Sequence, residues 1–92
     1  MSEDRNQPLV DIQAPADARF AIAWSRFNHA IVGKLLDGAK ACFSEHGVSD
    51  DALYVVEVPG AWELPYAAQK LAESKRFDAV VALGAVIRGG TP

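Results

Sequence analysis

From residue 19 onward, short apolar runs alternate with longer stretches in which apolar residues return every three or four positions. Arg19–Ser25 (RFAIAWS) is short, apolar and bounded by turn-forming residues, which predicts a buried strand. Asn28 is a residue type whose side chain caps helices. After it, Ile31, Val32, Leu35, Leu36, Ala39, Cys42, Phe43 and His46 fall on one helical face. Gly47 stands where a left-handed C-terminal cap belongs, and the acidic turn Ser49-Asp50-Asp51 follows. Leu53–Val58 (LYVVEV) is rich in β-branched residues and predicts a second strand. Pro59-Gly60 breaks it. Ala61–Lys75 predicts a second helix, with Pro65 tolerable only in the first turn, where a missing N–H costs little. Leu64, Ala67, Ala68 and Leu71 form its apolar stripe. Asp78–Gly84 (DAVVALG) predicts a third buried strand, and AVIRGGTP closes the chain as a glycine-rich loop.

The order is β-α-β-α-β, an α/β arrangement whose crossovers should be right-handed. Near-continuous apolar strands indicate a parallel sheet covered on both faces. A third helix should follow the third strand, so residues 19–92 read as the front part of one larger domain. Size points the same way, since 92 residues bury only about 60–65% of their unfolded surface. Residues 1–18 differ from the rest. They set Glu3, Asp4, Asp11 and Asp17 against Arg5 alone, contain Pro8 and Pro15, and follow neither period. They read as an extended N-terminal arm, with a short strand at Leu9–Ile12, that folds onto something else or stays disordered.

Composition narrows the function classes. Half of the residues are apolar and the formal net charge is −3 with no basic run, which argues against a nucleic-acid partner. No apolar run approaches the roughly 18 residues of a membrane span, and the polar opening MSEDRNQPLV is no signal peptide, so a cytoplasmic protein is expected. Cys42 is the single cysteine, which excludes an internal disulfide and a cysteine-based zinc cluster. His29, His46 and Cys42 lack metal-ligand spacing. There is no Ser-His-Asp or Cys-His constellation, and no close carboxylate pair of the glycosidase kind.

In an open parallel sheet, ligands bind beyond the carboxyl ends of the strands. Three loops meet there: Ser25–Asn28, Pro59–Glu63 and Ala85–Pro92. With strand order 2-1-3, a crevice opens between the first and third loops. Its walls would offer Phe27, Trp62, Glu63, Asn28, Arg26, Arg88 and the Gly89-Gly90-Thr91 backbone. That set suits a planar heterocycle stacked on an aromatic ring, with a polyol or phosphate nearby. Each element also has a structural reading. Phe27 packs or stacks. Glu63 favours the helix dipole or holds a ligand. Gly89-Gly90-Thr91 cradles an anion or makes a plain turn. His29 touches a phosphate or only flanks the cap. Trp24 and Cys42 read as core, and His46 as structural.

Taken together, Ser25-Arg26-Phe27-Asn28, Pro59-Gly60-Ala61-Trp62-Glu63-Leu64-Pro65 and Gly84-Ala85-Val86-Ile87-Arg88-Gly89-Gly90-Thr91-Pro92 resemble the loops of the lumazine synthases (6,7-dimethyl-8-ribityllumazine synthase) in order and spacing. The resemblance implies a flavodoxin-like three-layer α/β/α sandwich. It implies condensation of 5-amino-6-(D-ribitylamino)uracil with 3,4-dihydroxy-2-butanone 4-phosphate in riboflavin biosynthesis, with no metal or organic cofactor. It implies that Phe27 stacks on the pyrimidine and Asn28 lies by the ribityl chain. Ala61 and Trp62 would present backbone groups, and Glu63 would bind ribityl hydroxyls. Ala85, Val86 and Ile87 would bind the uracil edge, and Gly90 and Thr91 the butanone phosphate. Arg88 belongs to the motif without an assigned role. The family's proton-shuttling histidine would follow Pro92, so no catalytic acid–base falls within residues 1–92. The resemblance further implies self-association as a pentamer or a sixty-subunit shell, with sites between neighbouring subunits. Two alternatives stay open: a non-catalytic binding or assembly fragment of this fold, and a different flavodoxin-like binding domain.

Overall fold

The structure is a computed structural model that describes residues 13–88. Its elements are β1 (Phe20–Ser25), α1 (His29–Glu45), β2 (Leu53–Val58), α2 (Leu64–Glu73) and β3 (Ala79–Leu83), with single 3₁₀ turns at Asp50–Ala52 and Ala61–Glu63. The three strands are parallel and ordered β2-β1-β3. In register, Ala23 lies between Val56 and Ala82, and Trp24 between Glu57 and Leu83.

Side chains alternate across a strand. Phe20, Ile22 and Trp24 share one face, and α1 covers it: the rings of Phe20 and Phe43 lie 4.9 Å apart. Ala21, Ala23 and Ser25 share the opposite face, and α2 covers that one. At its end Leu64 and Ser25 both close on Gly84. The two helices therefore sandwich the sheet. Ala21, Ile22, Ala23 and Ser25 are wholly buried, while Trp24, expected in the core, is half-buried. β1 is the best covered of the described strands, with only Phe20 and Trp24 half-buried, whereas Tyr54, Glu57, Ala79 and Ala82 of its neighbours are exposed. The reason is geometric. One helix, about 10 Å across, spans about two strands spaced about 4.8 Å apart.

Asn28 does cap α1, but by a different mechanism from the one its residue type suggests. Its side chain makes no capping bond; its backbone turns left-handed at φ 62°, a conformation asparagine tolerates better than most residues. Its carbonyl accepts the N–H groups of Ile31 and Val32 at 2.9 and 3.0 Å. Val32 and Leu36 face the sheet and are buried, whereas Ile31 and Leu35 are exposed. Cys42 corrects the reading that placed it in the core. It is exposed, because the apolar stripe of α1 is wider than the strip that touches the sheet. His46 ends the helix and its Nδ1 donates to the Cys42 carbonyl at 2.8 Å. Gly47 then takes φ 88°, the left-handed stop the sequence predicts.

The second helix starts later than the sequence suggests. Ala61–Glu63 forms a 3₁₀ turn and α2 begins at Leu64, with Pro65 in its first turn. It ends at Glu73, where the Ser74 hydroxyl donates to the Leu71 carbonyl at 2.6 Å and Lys75 turns left-handed. A reciprocal pair pins β3 beside β1: the Arg19 N–H donates to Asp78 Oδ2 at 2.8 Å, and the Asp78 N–H to the Arg19 carbonyl at 2.7 Å. Within the expected arm, residues 13–18 form no helix, and the Ala14 N–H donates to the His46 carbonyl at 2.9 Å. The strand expected at Leu9–Ile12 lies outside the described residues. No helix among the described residues is long and apolar enough to cross a membrane.

Candidate functional site

The carboxyl ends of the three strands open into a cleft of about 360 Å³. Its walls are Phe27 from the β1 loop, Pro59–Glu63 from the β2 loop, and Ala85, Val86 and Ile87 from the β3 loop. The parallel ladder itself joins the first two walls. Beyond the last strand residue it continues for one bond, Arg26 N–H to the Val58 carbonyl at 2.8 Å, and a loop bond follows, Phe27 N–H to the Pro59 carbonyl at 3.0 Å. This holds the Phe27 backbone against the Pro59–Glu63 loop before any ligand arrives.

The side chains of this cleft are unusually uncommitted. Phe27 is 67% exposed and Trp62 90% exposed. Burying an aromatic face is among the larger gains a side chain can make, so two open rings at one cleft suit a flat apolar ligand. Val86 and Ile87 are also exposed, at 84% and 56%. Glu63 is fixed by its own loop: its Oε1 accepts the Gly60 N–H at 2.8 Å, and the Glu63 N–H returns a bond to the Gly60 carbonyl at 3.1 Å. This is the glutamate half of a capping box, because the N-cap glycine has no side chain to supply the other half, and it is a role beyond the helix-dipole and ligand readings of Glu63. The signal was present as a glutamate three residues after the turn-opening glycine.

The structure thus brings Phe27, Ala61, Trp62, Glu63, Ala85, Val86 and Ile87 to one cleft. Asn28 is half-buried beside Phe27 and does not line it, and Arg26, His29 and Arg88 lie outside the lining as well. Gly90 and Thr91 lie outside the described residues. No three metal-ligating side chains come together among the described residues. A second, more apolar cleft of about 560 Å³ runs between Gln13–Pro15, Phe20 and the C-terminal half of α1. It sits at the opposite end of β1, away from the loops that carry the polar groups.

A parallel sheet in the order 2-1-3, with a cleft beyond its carboxyl ends where the strand order reverses, defines a doubly wound α/β ligand-binding protein of the flavodoxin-like class. The sequence signature of the 6,7-dimethyl-8-ribityllumazine synthase family matches residues 17–92, and the chain belongs to that family. It is 52% identical over 81 residues to the 6,7-dimethyl-8-ribityllumazine synthase of Helicobacter pylori (strain ATCC 700392 / 26695), covering 88% of this chain and 52% of that protein. It is 55% identical over 83 residues to the enzyme of the same name from Halorhodospira halophila, covering 90% of this chain and 51% of that protein. The chain spans about half the length of the curated relatives it matches.

Proposed function

We propose that the protein carrying this chain condenses 5-amino-6-(D-ribitylamino)uracil with 3,4-dihydroxy-2-butanone 4-phosphate to 6,7-dimethyl-8-ribityllumazine. The observation that carries the reading is the cleft, where two exposed rings, a pre-oriented carboxylate and the Ala85–Ile87 loop converge, in a chain that matches the family across residues 17–92. Phe27 stacks on the pyrimidine ring. Ala85, Val86 and Ile87 meet the uracil edge through backbone groups, as a loop leaving a parallel strand is able to do. Ala61 and Trp62 offer backbone groups, Glu63 takes ribityl hydroxyls on its carboxylate, and Asn28 lies by the ribityl chain. Gly90 and Thr91 hold the butanone phosphate.

The chemistry asks first for proximity. The 5-amino group attacks the ketone and water leaves to give an imine. Phosphate is then eliminated, and the ribitylamino nitrogen closes the ring with loss of a second water. Each step moves protons, and a positioned acid–base group contributes about 10²–10⁴-fold. The family resemblance assigns proton transfer to a histidine after the position of Pro92, and the reading rests on that group rather than on His29, which lies outside the cleft lining. The protein acts without metal or organic cofactor, as a cytoplasmic homo-oligomer, pentameric or a sixty-subunit shell, with no nucleic-acid or membrane partner. A second reading is a segment that binds ligand without turning it over, and the Phe27, Trp62 and Glu63 side chains of the cleft suit binding alone. Mixing both substrates with the full-length protein and following lumazine absorbance separates the two. Formation above the uncatalysed rate is expected, and ligand binding with no rate gain would leave only the second reading.

A further inference from the structure

Gly84 directly follows β3 and precedes the third wall of the cleft. Its backbone does not need glycine for conformation, because Gly47 alone among the described glycines has a left-handed φ. It needs glycine for space. A Cβ built at residue 84 would lie 2.6 Å from Leu64 Cδ1, 3.4 Å from Ser25 Oγ and 3.5 Å from Ala61 Cβ. Carbon–carbon contacts settle at about 3.5–4.0 Å, so a methyl group there is short of room by about 1 Å against Leu64. Leu64 has little freedom to yield. It is 8% exposed, opens α2, and directly follows the turn that carries Trp62 and Glu63. The β3 side is held by its pairing with β1 through Leu83. The colliding atom is the end of the Leu64 side chain, which is buried and must push its own neighbours as it turns, so part of the displacement reaches the start of α2 and the Ala61–Glu63 wall.

We propose that Gly84 is a positioning residue: its bare Cα sets the gap between the Ala61–Glu63 wall and the Ala85–Ile87 wall, and so how far the edge of a planar ring enters between them. The choice of ligand rests on the function proposed above; the spacing does not. In the full-length protein, Gly84→Ala should raise KM for the ribitylaminouracil about tenfold, since a misplacement of about 1 Å costs up to 10²-fold. The KM for the butanone phosphate should change less than about twofold, because that group sits further along a loop anchored on β3. Leu64→Ala removes the atom that collides, so the double variant Gly84→Ala/Leu64→Ala should return the ring KM to that of Leu64→Ala alone. A folded Gly84→Ala protein with unchanged ring KM would overturn the proposal. So would both KM values rising together, or a double variant about tenfold worse than Leu64→Ala. If Gly84→Ala fails to fold, the double variant decides by the same comparison. If the unmodified protein makes no lumazine, the function reading falls. The crystal structures of Gly84→Ala, or of the double variant and Leu64→Ala where that does not fold, then test the spacing alone. Separation of Ala61 from Ala85 by about 1 Å in Gly84→Ala, relieved in the double variant, supports it, and an unmoved wall overturns it.

Discussion

Replacing Phe27 with alanine in the full-length protein separates stacking from packing, because the two roles make opposite demands on the folded state. A large aromatic side chain presents about 150–250 Å² when it is fully accounted for, and Phe27 leaves 67% of its surface exposed. A planar ligand covers one face of the ring, about half of that exposed area, or roughly 50–80 Å². At about 25 cal/mol per Å², this burial contributes about 1–2 kcal/mol, within the range of about 1–3 kcal/mol for a base on an aromatic ring. Phe27→Ala should therefore weaken binding of 6,7-dimethyl-8-ribityllumazine by about 5–30-fold in titration calorimetry. The same substitution should shift folding stability by no more than about 0.5 kcal/mol, as for other exposed side chains away from special features. Unchanged affinity would refute the stacking role. A stability loss above about 2 kcal/mol with affinity retained would show that Phe27 is held by packing that its exposure does not reveal.

Two further substitutions test how the scaffold holds the cleft. Ser25→Ala removes a wholly buried hydroxyl that finds no hydrogen-bond partner among the described residues; urea unfolding should show stability unchanged or raised by about 1 kcal/mol, and a loss of that size would reveal a partner. Gly47→Ala forces a side chain onto φ 88° and against Gln13 Oε1, so it should destabilise by about 1–2 kcal/mol, and a neutral result in the same assay would deny the left-handed stop its role.

Much of the framework was legible because it rests on periodicity. Five elements in the order β-α-β-α-β, and a cleft at the carboxyl ends of their strands, follow from apolar spacing and from the rules of parallel sheets. The departures share one cause, which is that periodicity reports an apolar face but not how much of it a neighbour reaches. Cys42 belongs to the apolar stripe of α1 yet lies beyond the strip that touches β1. Trp24 sits inside the central strand yet is only half-covered. The start of α2 slipped from Ala61 to Leu64 because one turn of 3₁₀ helix and the first turn of an α-helix have nearly the same sequence preferences.

At the site, the residue types were legible and their commitments were not. Glu63 reads as a free carboxylate in the sequence, but one oxygen already holds the Gly60 N–H. That bond fixes the direction of the carboxylate before a ligand arrives, and a group already held in its binding geometry gives up less conformational freedom on binding. Gly84 reads in the sequence as the end of the third strand, but its value lies in the absence of a side chain against Leu64. The first contact is local, Gly60 with Glu63 within one turn; the second joins Gly84 to a helix that starts twenty residues earlier in the chain, which local sequence does not encode. The cleft is thus shaped by bonds within its own walls. Its two exposed rings can stay unpacked because the surrounding backbone is already bonded to itself, through Arg26 to Val58 and Phe27 to Pro59, and does not rely on those rings for its stability.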